Sequence, residues 1–128
     1  MRTRKGFSLV EVIVALVLLT ILMLGAQALA ARMIRTTTTA NIQVTAAQIA
    51  EDRIDFVRLD PQYDSLVARY AVTENPVTGY PGYQRITAFT QTLAVTTNGT
   101  TDFQTMTVRV THQQLVTPVS RTVVITTP

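Results

Sequence analysis

The sequence predicts an α+β fold, and three observations carry that prediction. An apolar run occupies residues 7–24, no proline occurs between Met1 and Leu59, and threonine and valine dominate residues 87–127. A proline-free stretch opening on an apolar run can continue as one long helix. β-Branched residues instead favour pleated, half-exposed strands, so the distal part of the chain is expected to be mostly β.

The first element is the run FSLVEVIVALVLLTILML, interrupted only by Ser8, Glu11 and Thr20. Eighteen helical residues rise roughly 27 Å, close to the thickness of a bilayer hydrocarbon core. A membrane-spanning helix is therefore the first reading. Arg2, Arg4 and Lys5 precede the run and Arg32 and Arg35 follow it, a modest bias that places the N-terminus inside and the rest of the chain outward. A secretory signal peptide competes with this reading. The run is longer than the usual apolar core of such peptides, and the nearest approach to a signal-peptidase boundary is the small-residue stretch at 26–31.

The second element is the continuation of that helix to about residue 59. Thr36 to Thr39 is its weak point, because four β-branched residues in a row lower helix propensity and favour a bend or local fraying. Beyond it the periodicity recovers. Ile42, Ala46, Ile49 and Phe56, flanked by Ala50, Ile54 and Val57, form an apolar stripe suited to covering a sheet, with Glu51, Asp52, Asp55 and Arg58 mainly outside it. Asp60 and Pro61 end the helix.

A connector over 60–82 follows, with Pro76, Gly79, Pro81 and Gly82 as turn signals, and it is expected to be the least regular region. Strands are expected at about Arg85 to Thr96, Phe103 to His112 and Val119 to Thr126 within a sheet region at 83–128. Asn98-Gly99 lies in the first connection and Pro118 in the second, which makes an antiparallel meander. Met106, Val108 and Val110 alternate with Thr105, Thr107 and Arg109, so one sheet face should cover the helix stripe.

Charge and composition narrow the function classes. The formal charge is +3, but Arg2, Arg4 and Lys5 account for all of it, and without them eight basic residues face eight acidic ones. The remaining arginines are spread singly and no lysine remains, so there is no dense phosphate-binding cluster and nothing argues for DNA as a direct partner. Cysteine is absent, which excludes thiol catalysis, disulfides and cysteine-type zinc sites. His112 is the only histidine and would lack partners for a metal site; a surface or edge-strand position is the reading, with no role assigned. Asp52, Asp55, Asp60 and Asp64 lack an EF-hand spacing. Tyr63, Tyr70, Tyr80 and Tyr83 flank the turn region, where ring packing over a loop and a contact surface are both open readings. No nucleophile with a paired base, phosphate loop or cofactor fingerprint is found, so no cofactor, metal or catalytic residue is expected.

The segment Lys5-Gly6-Phe7-Ser8-Leu9-Val10-Glu11-Val12 resembles the processing and assembly motif of type IV prepilins and of type II secretion pseudopilins. The resemblance is specific over residues 4–24 and architectural beyond them. It implies a basic leader at 1–6 containing Arg2, Arg4 and Lys5, and cleavage between Gly6 and Phe7 by a prepilin peptidase with N-methylation of Phe7. Glu11 maps to the family's glutamate that pairs with the N-terminal amine of a neighbouring subunit during assembly. It also implies a pilin-like fold, a transmembrane and assembly helix at 7–31, and a periplasmic or extracellular head at 32–128. The partners implied are prepilin peptidase, the inner membrane and other pilin or pseudopilin subunits of a hetero-oligomeric filament. The protein would cross the inner membrane once with its C-terminus outside, and then enter a pilus or pseudopilus.

A second resemblance, over Ile49 to Leu66 and the strands that follow, is to PilV-type minor pilins and GspI-like pseudopilins. Many major pilins carry a proline in the outer part of the apolar helix and a C-terminal disulfide loop, whereas here Ala28 stands in the proline's neighbourhood and cysteine is absent. The expectation is a low-abundance, non-enzymatic subunit. The alternatives are a minor pseudopilin of a type II secretion system, or a simple bitopic protein with an outward β-rich binding domain. Glu11 keeps two readings, because Ser8-x-x-Glu11 is also a capping-box pattern.

Overall fold

The computed structural model of the chain describes residues 8–96 and 99–126, with the side chains of 94–96, 99 and 100 outside that description. Two compact units divide at Thr38 and Thr39. One long helix, α1, Leu9–Arg58, contributes its first part to one unit and its second part to the other.

In the first unit α1 is an apolar rod. Its best window has a mean hydropathy of 2.8, and none of that window is buried within the chain. Leu9, Leu22 and Leu24 are 77%, 69% and 67% exposed, far above what a soluble helix of this composition tolerates in water. The helix is long and apolar enough to cross a membrane.

The threonine run, where fraying was expected, remains helical. Its hydroxyls turn inward on the backbone: Thr36, Thr37 and Thr38 donate to the carbonyls of Arg32, Met33 and Ile34, each at 2.9 Å. A β-branched hydroxyl satisfied one turn back finds its hydrogen-bond partner without leaving the helix.

In the second unit the distal part of α1 lies against a four-stranded antiparallel sheet in the order β1-β2-β3-β4. The strands are β1, Thr73–Glu74; β2, Tyr83–Thr96; β3, Gly99–His112; and β4, Val119–Thr126. The three long strands form the expected meander, and β1 is a two-residue addition at the edge of β2. β3 starts earlier than Phe103 because Thr96 already pairs with Gly99 and the ladder runs unbroken to Tyr83 and His112.

Register decides which residues meet the helix. Met106 lies between Phe89 on β2 and Val123 on β4, and Val108 between Thr87 and Arg121. Met106, Val108 and Val110 are completely buried and join Ala46, Ile49, Ala50, Ile54 and Val57 of α1 in one core with Leu66 and Val77. The opposite face is rich in threonine, and Thr107 and Thr122 approach to 3.1 Å across it. Burying the valine face against α1 and leaving the threonine face in water satisfies the period-two pattern.

The helix stripe differs in one respect from expectation. Phe56 is 59% exposed, and Arg53 takes its place in the interior at 9%. The buried arc runs along Ala46, Ala50, Arg53 and Val57, at four, seven and eleven residue intervals. At about 100° per residue Phe56 falls at the rim of that arc. Its ring packs edge-on against Tyr70 instead, with centroids 5.8 Å apart.

The connector contains more structure than expected. A 3-10 turn at Tyr63–Ser65 leads directly into a short helix, α2, Leu66–Tyr70, which buries Leu66. Gly79 at φ 83° and Gly82 at φ 86° adopt conformations that side chains resist. A Cβ on Gly82 would also meet the His112 ring at 3.3 Å. His112 itself is half-buried at the end of β3, where only β2 flanks it: it tilts against Tyr83 at 4.6 Å and accepts a hydrogen bond from the Gln114 amide.

Asp60 ties this connector to the helix end. One carboxylate oxygen accepts the Gln62 amide at 2.9 Å, and the other accepts the Tyr70 hydroxyl and Arg69 Nη1, both at 2.7 Å. The Gln62 amide, then the Tyr70 hydroxyl and the Arg69 charge, hold the Asp60 carboxyl below the usual range, while the bond to Asp60 pushes the Tyr70 phenol up. A depressed carboxyl contributes stability above its unfolded value, about 3.9, and loses it as pH falls through the lower folded value. A raised phenol does the reverse, contributing below about 10 and losing it as pH rises beyond. Asp60→Ala is therefore expected to lower the melting temperature at neutral pH, and the gap from wild type should close below about pH 4. Asp60→Asn, whose single carbonyl oxygen can fill only one of the two acceptor positions, should fall between wild type and the alanine variant. Thermal melts across pH check this, and a gap that persists unchanged in acid would show that Asp60 acts through shape alone.

Candidate functional site: the start of the apolar helix

Glu11 occupies the first turn of α1 and is solvent-exposed. Ser8 immediately precedes the helix, and its carbonyl accepts the Val12 amide at 3.2 Å, the first turn's backbone bond. With Leu9 as the first helical residue, Ser8 is the N-cap and Glu11 the third position, the spacing a capping box requires. A carboxylate here also sits at the positive end of the helix dipole.

The surroundings of Glu11 are apolar. Val12, Ala15, Leu16 and Leu19 line a shallow groove with it along one face of the helix. A carboxylate beside such a groove is costly to take into hydrocarbon, about 2.5 to 3.5 kcal/mol on insertion scales, unless a cation or polar donor accompanies it. The arrangement can present one negative charge at the head of an apolar, helix-docking surface. Ser8 and Glu11 are the only polar side chains from residue 8 to residue 19.

Gly6, Phe7 and the basic residues Arg2, Arg4 and Lys5 lie outside the described residues. In the head, Asp60 is engaged as described and Asp52, Asp55 and Asp64 are exposed. Among the described residues no three His, Cys, Asp or Glu side chains gather into a metal-binding group. Of the four tyrosines, Tyr63 and Tyr83 are buried and Tyr70 and Tyr80 half-buried, which favours ring packing over a tyrosine contact surface. Burial, with the nearby Asp102 carboxylate, pushes the Tyr63 phenol up.

Sequence reasoning missed Arg53, which belongs to the interior of the head. An arginine at the centre of an apolar arc is a signal that periodicity alone could have raised, but the outer positions of the stripe masked it.

A family model described as the prokaryotic N-terminal methylation motif matches residues 1–27. No curated protein and no solved structure matches the chain. The motif, together with the long apolar helix that begins within it, is consistent with a type IV pilin-like or pseudopilin protein. It points to a structural subunit rather than an enzyme, implies processing by prepilin peptidase and assembly with other pilins, and fits membrane anchoring.

Proposed function

We propose that this chain is a minor structural subunit of a type IV pilus, made as a precursor and assembled through its N-terminal helix. The observation that carries the reading is the methylation motif over residues 1–27. In this reading residues 1–6 form the leader, with Arg2, Arg4 and Lys5 holding it in the cytoplasm. Prepilin peptidase cuts between Gly6 and Phe7 and Phe7 is N-methylated. Residues 7–31 anchor the precursor in the inner membrane and later pack among the helices of neighbouring subunits, while residues 32–128 form the outward head. A minor pseudopilin of a type II secretion system uses the same chemistry and is the second reading; Ala28 and the lack of cysteine depart from the pattern of many major pilins and favour a low-abundance subunit.

Within the filament, lipid contacts of the exposed leucines, isoleucines and valines of α1 are exchanged for contacts with other helices. Van der Waals packing and the pairing of polar groups drive that exchange, because lipid is as apolar as leucine. Glu11 supplies the paired polar group: its carboxylate meets the methylated amine of the next subunit's Phe7, a bond whose strength grows as water is excluded.

Mass spectrometry of the mature protein from its native host tests the reading. The expected N-terminus is N-methylated Phe7. An intact Met1 terminus, or one near Ala31, would overturn it, the latter in favour of an ordinary signal peptidase.

A further inference from the structure

The outer end of the apolar rod carries two cations in a stretch of sequence that has no acid. Between Glu11 and Glu51 the chain has no acidic residue, and its only basic ones are Arg32 and Arg35. Both are exposed on α1 within the first unit. Their nearest acids in sequence lie far outside the three or four residue spacing at which charges pair along a helix. Apolar side chains do not stop where the run ends at Leu24, for Leu29, Met33 and Ile34 are also largely exposed. Leu29, Met33, Thr36 and Thr37 line a shallow groove of about 250 Å³ together with Arg32. The hydroxyls of Thr36 and Thr37 are turned back onto the helix backbone, so they add little polarity to the groove. The Arg32 guanidinium thus rises from an apolar collar rather than from a polar helix face.

Length places this collar in a bilayer. The step from Glu11 to Arg32 along a continuous helix is roughly 32 Å, close to the hydrocarbon thickness of about 30 Å. With Glu11 at the inner boundary, Arg32 falls at the outer one. Arg35, roughly 4.5 Å further along the axis, reaches the phosphate layer. An arginine whose stem lies among apolar side chains and whose charged head lies at the headgroups is placed where a bilayer tolerates it best.

We infer that the collar binds the phosphate of an anionic phospholipid in the outer leaflet of the membrane, with Arg32 and Arg35 on the phosphate oxygens and Leu29 and Met33 along an acyl chain. The inference rests on the membrane-anchored reading of α1 given above. A guanidinium fork matches two oxygens of a phosphate. Two cations with no acid in the same stretch favour a headgroup of net negative charge over a zwitterionic one, whose own ammonium competes for the phosphate. The contact fixes the depth of the precursor in the membrane and is given up when the subunit is drawn into a filament.

The test places the full chain in nanodiscs of mixed phosphatidylcholine and phosphatidylglycerol and measures the phospholipid that stays with it after transfer to detergent. Wild type should retain phosphatidylglycerol enriched over the starting mixture. Arg32→Gln combined with Arg35→Gln should cut that enrichment roughly fivefold or more. The leader residues Arg2, Arg4 and Lys5 are present in every sample, so the difference between variant and wild type isolates the outer end. With isotope-labelled arginine, the Arg32 and Arg35 Nε–H signals should shift as the phosphatidylglycerol fraction rises, while those of Arg109 and Arg121 in the head stay in place. Soluble glycerophosphoglycerol, the same headgroup without acyl chains, should shift neither signal; shifts equal to those with the lipid would assign a free phosphate and overturn a lipid site. Equal shifts at the head arginines would also overturn it. Unchanged enrichment in the double variant overturns the inference, and a filament defect in that same variant then assigns the arginines to an acidic neighbouring subunit. Alkaline extraction of the same proteins from vesicles reports insertion separately. An inserted chain without the lipid preference sinks the inference and leaves the anchor reading intact, whereas a chain that does not insert sinks both.

Discussion

Glu11→Gln is expected to leave membrane insertion and leader removal near wild-type levels while cutting incorporation into filaments by roughly tenfold or more. The substitution separates the two duties that the position can serve. At the third residue of the helix, behind Ser8, either glutamate or glutamine can accept the N-cap amide, so the helix start is preserved. On the proposed reading, what glutamine lacks is the negative charge that would pair with a methylated Phe7 amine inside a packed, apolar helix bundle. The pair gains strength in low dielectric, and removing one partner leaves the other cation buried and uncompensated. Insertion itself should become slightly easier, because a neutral amide is cheaper to desolvate than an ionised carboxylate. Sheared filaments and membranes fractionated at matched expression give the measurement. If the variant enters filaments as readily as wild type, Glu11 is a helix cap and no more.

The second large effect concerns the head. Met106→Ala should destabilise it by about 2 to 5 kcal/mol, lowering the melting temperature by about 8 °C or more. Met106 is completely buried at the middle of the central strand, flanked by Phe89 and Val123 on the face that meets α1. Truncation loses the transfer energy of the side chain and leaves a cavity that strands fixed on both sides cannot easily close. Val124→Ala is the internal control. Val124 neighbours Val123 but points to the threonine face at 54% exposure, and its truncation should cost no more than about 0.5 kcal/mol. Thermal unfolding followed through the tyrosine signal compares the two. Equal losses would mean that the sheet presents its other face to the helix.

The parts of this protein that were legible beforehand are those whose cause is local. An eighteen-residue run that is apolar but for Ser8, Glu11 and Thr20, with a modest excess of basic residues before it, needs no tertiary partner to be recognised, because the lipid it suits is a solvent rather than a fold. The N-terminal methylation motif over residues 1–27 is likewise readable as a linear pattern, since consecutive residues carry it. The three long strands and their inward valines followed from alternation, which reports a sheet with one wet and one dry face.

What required the folded chain were the choices made between distant residues. The threonine run is a local exception: Thr36, Thr37 and Thr38 bond the preceding turn within the helix, a contact that propensity averages conceal. The connector gains a turn and a helix because Asp60 gathers an amide, a phenol and a guanidinium from residues up to ten positions away. Arg53 displaces Phe56 from the interior because Tyr70 offers its ring and carbonyl, while β1 and β2 bring Glu74 and Arg85 beside it. A helical stripe read at 3.6-residue spacing tells which residues share a face, but the centre of the buried arc is set by the surface that packs against it. That surface is assembled from segments well separated from the helix in sequence, so only the tertiary structure could place a cation where periodicity had placed a phenyl ring.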